Sequence, residues 1–244
     1  MMDFTVRKYA ELIEALRNRG FSELILRHDV DRLPQNSLCT AHIEAERGIK
    51  GVYYFRAVPE SWDDAVIRGV ADLGHEVGYH YESLAVCDGD KVAAYDDFCR
   101  NLERLRQLVP VKKICMHGSP RSAYDNRDLW KKYDYRSLGI ESEAYLDTDF
   151  SKTFYLTDTG RRWDGFKVSV RDKIAGWQDI WLARGWVFQS TDDVIAGLKA
   201  RIIPDRLMLT VHPQRWNPFG LRWAEEFVGQ KAKNLIKKMI IKTK

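Results

Sequence analysis

The chain has 244 residues, 45% of them hydrophobic and 30% charged, which suits one large α/β domain that buries its own core without staples. No apolar run is long enough to span a membrane, and Asp3, Glu11 and Glu14 interrupt the N-terminal stretch where a secretory signal would need an apolar core, so a cytoplasmic protein is expected. The net charge is +4, but residues 230–244 hold six lysines and no acid, and the rest carries 33 basic against 35 acidic residues; a broad nucleic-acid footprint on the fold is thereby excluded.

The spacing predicts a helix from Tyr9 to Asn18, closed by Gly20. Leu24-Ile25-Leu26 reads as a buried strand that runs into Arg27-His28-Asp29-Val30-Asp31. Pro34 suits the first turn of a helix over 35–47, and Gly48 ends it. A strand follows at 52–55, a helix at 62–73 stopped by Gly74, and a strand at 76–80. The amphipathic helix at 92–108 is the clearest of all, with Pro110 beyond it. A strand at 111–116 ends in His117-Gly118-Ser119-Pro120, where Gly118 to Pro120 could equally form a simple turn. The middle of the chain yields one strand, at 154–157, ending in Asp158-Thr159-Gly160-Arg161. A helix at 192–200 and a last strand at 207–211, ending in His212-Pro213, complete the pattern. Strands alternating with helices imply a parallel sheet, here a distorted (β/α) barrel of about seven strands. Residues 1–228 read as one domain and 229–244 as a basic amphipathic tail. Cys39, Cys87, Cys99 and Cys115 form no Cys-x-x-Cys pair and are expected to be reduced thiols.

Several strands end in polar, ligand-capable clusters, and such ends gather on one face of a β/α barrel. Five of the six histidines (His28, His75, His80, His117 and His212) fall at or beside strands; His42 falls on a helix. Strand side chains alternate, so Asp29 and Asp31 share a face and His28 takes the other. Two adjacent carboxylates repel unless a cation or a shared proton intervenes. A divalent metal satisfies them if one ligates and the other takes a proton from water; a helix N-cap with a solvated neighbour is the plainer alternative. In Gly74-His75-Glu76-Val77-Gly78-Tyr79-His80, parity puts Glu76, Gly78 and His80 on one face.

Together these motifs resemble those of the polysaccharide deacetylases, the NodB-homology group of carbohydrate esterases. That family has a first motif ending in two aspartates, a second reading Gly-His-Glu-(Ile/Val)-Gly-x-His, and a last apolar strand ending in histidine. Residues 29–31, 74–80 and 207–212 match these in order, and the resemblance covers about 24 to 213. It implies Asp29 as general base, Asp31 and His80 as metal ligands and His212 as general acid. It also implies one divalent metal, with zinc the expected ion for Asp/His ligands, and an N-acetylated sugar as substrate. The family has a second ligand four residues after the first histidine, where this chain has Leu84. The missing ligand is then expected from His117 first and Glu82 second. Glu82, Tyr81 and Trp216 are expected around the substrate, and Asp158 and Arg161 either there or behind the site, bracing its residues; Tyr53, Tyr54, Tyr79 and Trp163 are further aromatics that could stack on sugar rings or simply fill the core.

The expected reaction is removal of an N-acetyl group from a nucleotide- or lipid-linked amino sugar in bacterial surface glycan assembly. Leu235, Ile236, Met239, Ile240 and Ile241, interleaved with lysines, would let residues 230–244 touch an anionic membrane; a solvated, frayed helix is the other reading. The competing function is an inactive deacetylase-like sugar binder, with Leu84 marking a lost metal. A phosphoester hydrolase would need more ligands than this sequence supplies.

Overall fold

The computed structural model describes residues 2–118, 122–164 and 173–242, with side chains as far as residue 235. Its centre is β1 (Glu23–Val30), whose last five residues are all buried. The other strands are β2 (Val52–Phe55), β3 (Glu76–Tyr81), β4 (Val111–Met116), β5 (Ser142–Glu143), β6 (Phe154–Thr157) and β7 (Arg206–Val211). They form one sheet in the order β5-β4-β3-β2-β1-β7-β6, and every pairing is parallel. The chain therefore builds outward from β1 to one edge, returns through a long connection, and adds β6 and β7 on the other side. Buried on both faces, the strands read as continuous apolar runs rather than alternating ones.

The sheet curls. Arg27, on the central strand, lies 4.5 Å from the ring centroid of Tyr145, just beyond edge strand β5. Tyr145 in turn lies 6.4 Å from Tyr155 on the opposite edge strand, β6. Side chains from both edges thus meet across the inner face, giving the expected distorted barrel of seven parallel strands.

Helices pack outside: α1 (Val6–Arg19), α2 (Gln35–Ala45), α3 (Asp64–Asp72), α4 (Ser83–Val86), α5 (Lys91–Arg106), α6 (Gln178–Ala183), α7 (Thr191–Lys199) and α8 (Leu221–Lys242). Their starts follow from capping chemistry, in which a short polar side chain satisfies the first free N–H groups. Thr5 caps α1, Asp63 caps α3 and Asp90 caps α5. Ser190 and Asp193 form a reciprocal capping box on α7. Gly48, past α2, takes the positive φ of 67° that ends a helix cheaply. Gly78 is required for a different reason: a Cβ there would stand 2.4 Å from the Tyr54 ring and 2.9 Å from the Lys113 carbonyl.

The structure departs from the sequence reading in two places. Between β4 and β6 the chain holds two 3₁₀ segments (Asn126–Lys131 and Tyr135–Leu138) and the two-residue β5, none long enough to leave a periodic signal. At the C-terminus, the boundary expected after residue 228 falls inside α8, which is one continuous helix. Gln230 accepts from Arg215, and Asn234 donates to the Gly160 carbonyl at 2.8 Å, so this part of the helix packs on the domain. The side chains expected to make the tail amphipathic beyond Leu235 lie outside the described residues. No helix among the described residues is long and apolar enough to cross a membrane.

Candidate functional site

At the C-terminal ends of β1, β3, β4 and β7, three histidines converge on Asp31. The Nε2 atoms of His80 and His117 each lie 3.7 Å from Asp31 Oδ1. His212 Nε2 lies 3.9 Å from Asp31 Oδ2. Strand parity explains part of this, since Arg27, Asp29 and Asp31 share the inner face of β1. The parallel register explains the rest, because it sets Val30 level with Phe55, Phe55 with Tyr79 and Tyr81 with Met116, so the strands end together.

The other ring nitrogen of each histidine is already held. His80 Nδ1 lies 2.9 Å from the Cys115 carbonyl, His117 Nδ1 2.7 Å from Glu82 and His212 Nδ1 2.6 Å from Asp158. A carbonyl can only accept, so His80 carries its proton on Nδ1 and offers a bare Nε2. Such outer contacts fix a ligating imidazole's tautomer and direction. Burial is the main cause that brings the pKa of His80 down to about 4, so it is neutral and able to ligate. Burial also opposes a charge on His117, but the Glu82 hydrogen bond and Asp31 outweigh it and raise its pKa.

These residues fit a divalent ion. Asp31 Oδ1 is buried and has no hydrogen-bond partner, an expensive state for a carboxylate oxygen unless something else satisfies it. Donor atoms around a tetrahedral zinc sit ~3.4 Å apart, given metal–ligand distances near 2 Å. The 3.7 Å spacings about Asp31 are close to that. Asp29, His80 and Cys115 also come within 4.8 Å of one another. Both Asp29 oxygens, however, are taken by Arg27 at 2.7 and 2.6 Å, which leaves Asp31 Oδ1 as the carboxylate oxygen without a partner.

Burial alone would raise the Asp29 pKa. The Arg27 guanidinium beside it, with His80 and His212, instead holds it well below the usual carboxylate range. Asp29 is therefore ionised, which a base requires, but Arg27 weakens its pull on a proton. His212 is placed oppositely. Burial and Arg215 both disfavour its charged form, yet the Asp158 carboxylate and Asp31 prevail and raise its pKa. Asp158 is fully buried, accepts from the His212 backbone N–H and from Trp216 Nε1, and holds the ring by Nδ1.

The site opens to a cavity of about 420 Å³ lined by Asp31, Arg56, His117, Gln214, Arg215 and residues of α8 among others. Glu82 stands at its edge, held by Arg56 at 2.6 Å and by His117. His117 thus takes the ring-to-Asp31 position and Glu82 stands behind it. Leu84 is buried on α4, pointing away from any ligand role.

Several residues expected around the substrate lie away from the cavity at Asp31. Tyr81 is fully enclosed, with its hydroxyl on Glu143 and its ring against Phe98 and Trp130. Trp216 packs between Phe4 and Tyr9, and its indole N–H serves Asp158. Asp158 takes the second of its two expected places, behind His212. Tyr53, Tyr54, Tyr79 and Trp163 are likewise core residues. Arg161 lines a neighbouring cavity instead of the one at Asp31. Of the turn expected at 118–120, Ser119 and Pro120 lie outside the described residues.

Sequence reasoning missed Arg27, Gln214 and Arg56. Arg27 had a signal, since it stands two residues before Asp29 on the same strand face. Gln214, on the 3₁₀ turn Pro213–Arg215, donates to Asp31 Oδ2 at 3.1 Å, and Arg56 follows β2; neither had a signal.

No family model matches the sequence, and no curated protein matches it. Among solved structures, the chain is similar to a family 4 carbohydrate esterase from Streptomyces lividans in complex with acetate. That match has 16% identity and a TM-score of 0.45, covering 90% of this chain and 89% of the other. It is also similar to Bacillus subtilis PdaA, a family 4 carbohydrate esterase, at 10% identity and a TM-score of 0.40, covering 95% of this chain and 90% of that one.

Proposed function

We propose that the protein is a metal-dependent deacetylase that removes the N-acetyl group of an amino sugar. The observation that carries this reading is the convergence of the His80, His117 and His212 Nε2 atoms on the Asp31 carboxylate, with one carboxylate oxygen otherwise unsatisfied. The motif resemblance at residues 29–31, 74–80 and 207–212 supports it independently of the geometry.

Asp31, His80 and His117 would hold the ion, with zinc the ion proposed. When bound, such an ion supplies a Lewis acid that polarises the acetyl carbonyl and makes water acidic enough to attack near neutral pH. Asp29, kept ionised by Arg27 and with Oδ2 3.7 Å from His80 Nε2, would accept the proton. His212, kept protonated by Asp158, gives a proton from Nε2 to the departing amine. A poised acid of this kind contributes roughly 10²–10⁴-fold. Gln214 orients Asp31 by its amide. The substrate we propose is a nucleotide- or lipid-linked amino sugar in bacterial surface glycan assembly, handled in the cytoplasm or at the inner membrane face through residues 230–244.

The test is the metal content of the purified protein beside Asp31→Ala and His80→Ala, followed by acetate release from N-acetyl sugars. About one transition metal per wild-type chain, lost in both variants, is expected. A wild type that takes up no metal when zinc is supplied, yet binds N-acetyl sugars, would establish the sugar-binding alternative in place of the hydrolase.

A further inference from the structure

A second cavity, of about 520 Å³, adjoins the catalytic one, and Gln230 of α8 lines both. Its other walls include Arg161, Arg162, Phe227, Lys231 and Asn234. Three of these are cations, and no carboxylate lines the cavity among the described residues. Arg162 is already forked by Asp164 at 2.6 and 2.8 Å. Arg161 and Lys231 are not neutralised in that way. Both sit over the same ring, Phe227, at 5.5 and 4.2 Å from its centroid.

Two cations gathered about one aromatic ring repel each other unless an anion is shared between them. Arg161 is held there by further rings, Phe4 and Trp223, each 5.0 Å away, and by a left-handed backbone with φ of 55°. Such a conformation costs energy in a residue other than glycine. Its Nη2 donates to the Asp3 carbonyl, while its Nη1 is buried with no hydrogen-bond partner. A guanidinium fork with one arm unused, a nearby ammonium and no carboxylate on the wall form a receptor for an anion. Guanidinium suits the planar, bidentate recognition of phosphate.

We propose that this cavity binds the phosphoryl or pyrophosphoryl group by which the sugar is joined to its carrier. The proposal rests on the deacetylase reading of the first cavity and names the class of substrate. The acetamido group would reach Asp31 while the carrier phosphate crosses Gln230 to Arg161 and Lys231.

Calorimetric titration of the intact chain with inorganic pyrophosphate, in the presence of a chelator, tests it; the chelator ensures that an ion at Asp31 cannot account for binding. Arg161→Gln and Lys231→Gln are each expected to weaken binding about tenfold, the loss of one charge-assisted contact. Lys231 is exposed on a helix, so its variant keeps the fold, and a thermal melt checks both. UDP and farnesyl pyrophosphate as further probes separate a nucleotide carrier from a lipid one by which binds more tightly. Wild type that binds none of the three, or variants that bind them as the wild type does, would overturn the proposal. The deacetylase reading is judged apart from this, by metal content and acetate release.

Discussion

β1 separates two buried clusters of histidine and carboxylate, and only one of them has the form of a site. On the inner face, His80, His117 and His212 direct Nε2 at Asp31, which keeps one oxygen unsatisfied beside a cavity. On the outer face, His28 and His75 surround Glu44. His28 Nε2 lies 3.0 Å from that carboxylate, Tyr53 donates to it at 3.0 Å, and Tyr9 donates to it as well. His75 accepts from the Gly51 N–H and meets the Ala41 carbonyl, so both its nitrogens are spent. Tyr53 stacks on His28 at 3.9 Å, and a Cβ on Gly51 would press on both His28 and Glu44. The outer cluster is a closed polar plug between sheet and helices. The residue types are the same, and His28 Nδ1 in the outer cluster also lacks a hydrogen-bond partner; what differs is that His28 and Glu44 are wholly enclosed, whereas Asp31 and His117 line a cavity.

The sharpest way to break this comparison is His212→Ala. It should lower kcat by up to ~10⁴-fold while metal content per folded chain stays as in wild type, and steady-state kinetics beside metal analysis would show it. A fall below ~10-fold would remove His212 as the general acid. Glu44→Ala should act on stability instead. Stripping the buried carboxylate from two tyrosines and a histidine should cost about 3–5 kcal/mol by denaturant unfolding, while metal content per folded chain stays as in wild type. An intact melt would mean that the outer cluster is not a plug.

Asp158→Asn should lower kcat about 10–100-fold, as loss of a group that orients a functional imidazole does, and should also move the pH profile. The pKa of His212 is raised, so its acid form persists to higher pH and activity falls as pH climbs through that value. Without the Asp158 charge the pKa drops, and the alkaline limb should shift to lower pH. An unmoved limb would show that another group sets it. Gln214→Ala is the smallest expected effect: one hydrogen bond to Asp31, about 1 kcal/mol, read as a several-fold weaker metal affinity. An unchanged affinity would show that Asp31 is held in place without it.

Most of the fold was legible from the chain. Apolar runs ended by Gly48 and Gly74 marked the alternating strands and helices, because capping and periodicity are local. Asp29, Asp31, His80 and His212 could be read as a set because they close strands in a motif order. What the residues by themselves could not supply was direction and enclosure. Tyr81, Trp216 and Asp158 sit beside motif ends in sequence, yet packing turns them into the core, on Glu143, Asp158 and His212 respectively. Arg27 and Gln214 act on Asp29 and Asp31 through contacts that depend on rotamer and loop path. The wall that α8 makes at Gln230, and the cavity beyond it, join parts of the chain about 70 residues apart in sequence, such as Gly160 and Asn234. Local chemistry determined the strands and the polar residues at their ends. Which donors remained unsatisfied, and which faced a cavity, was decided only when the sheet curled and brought its ends together.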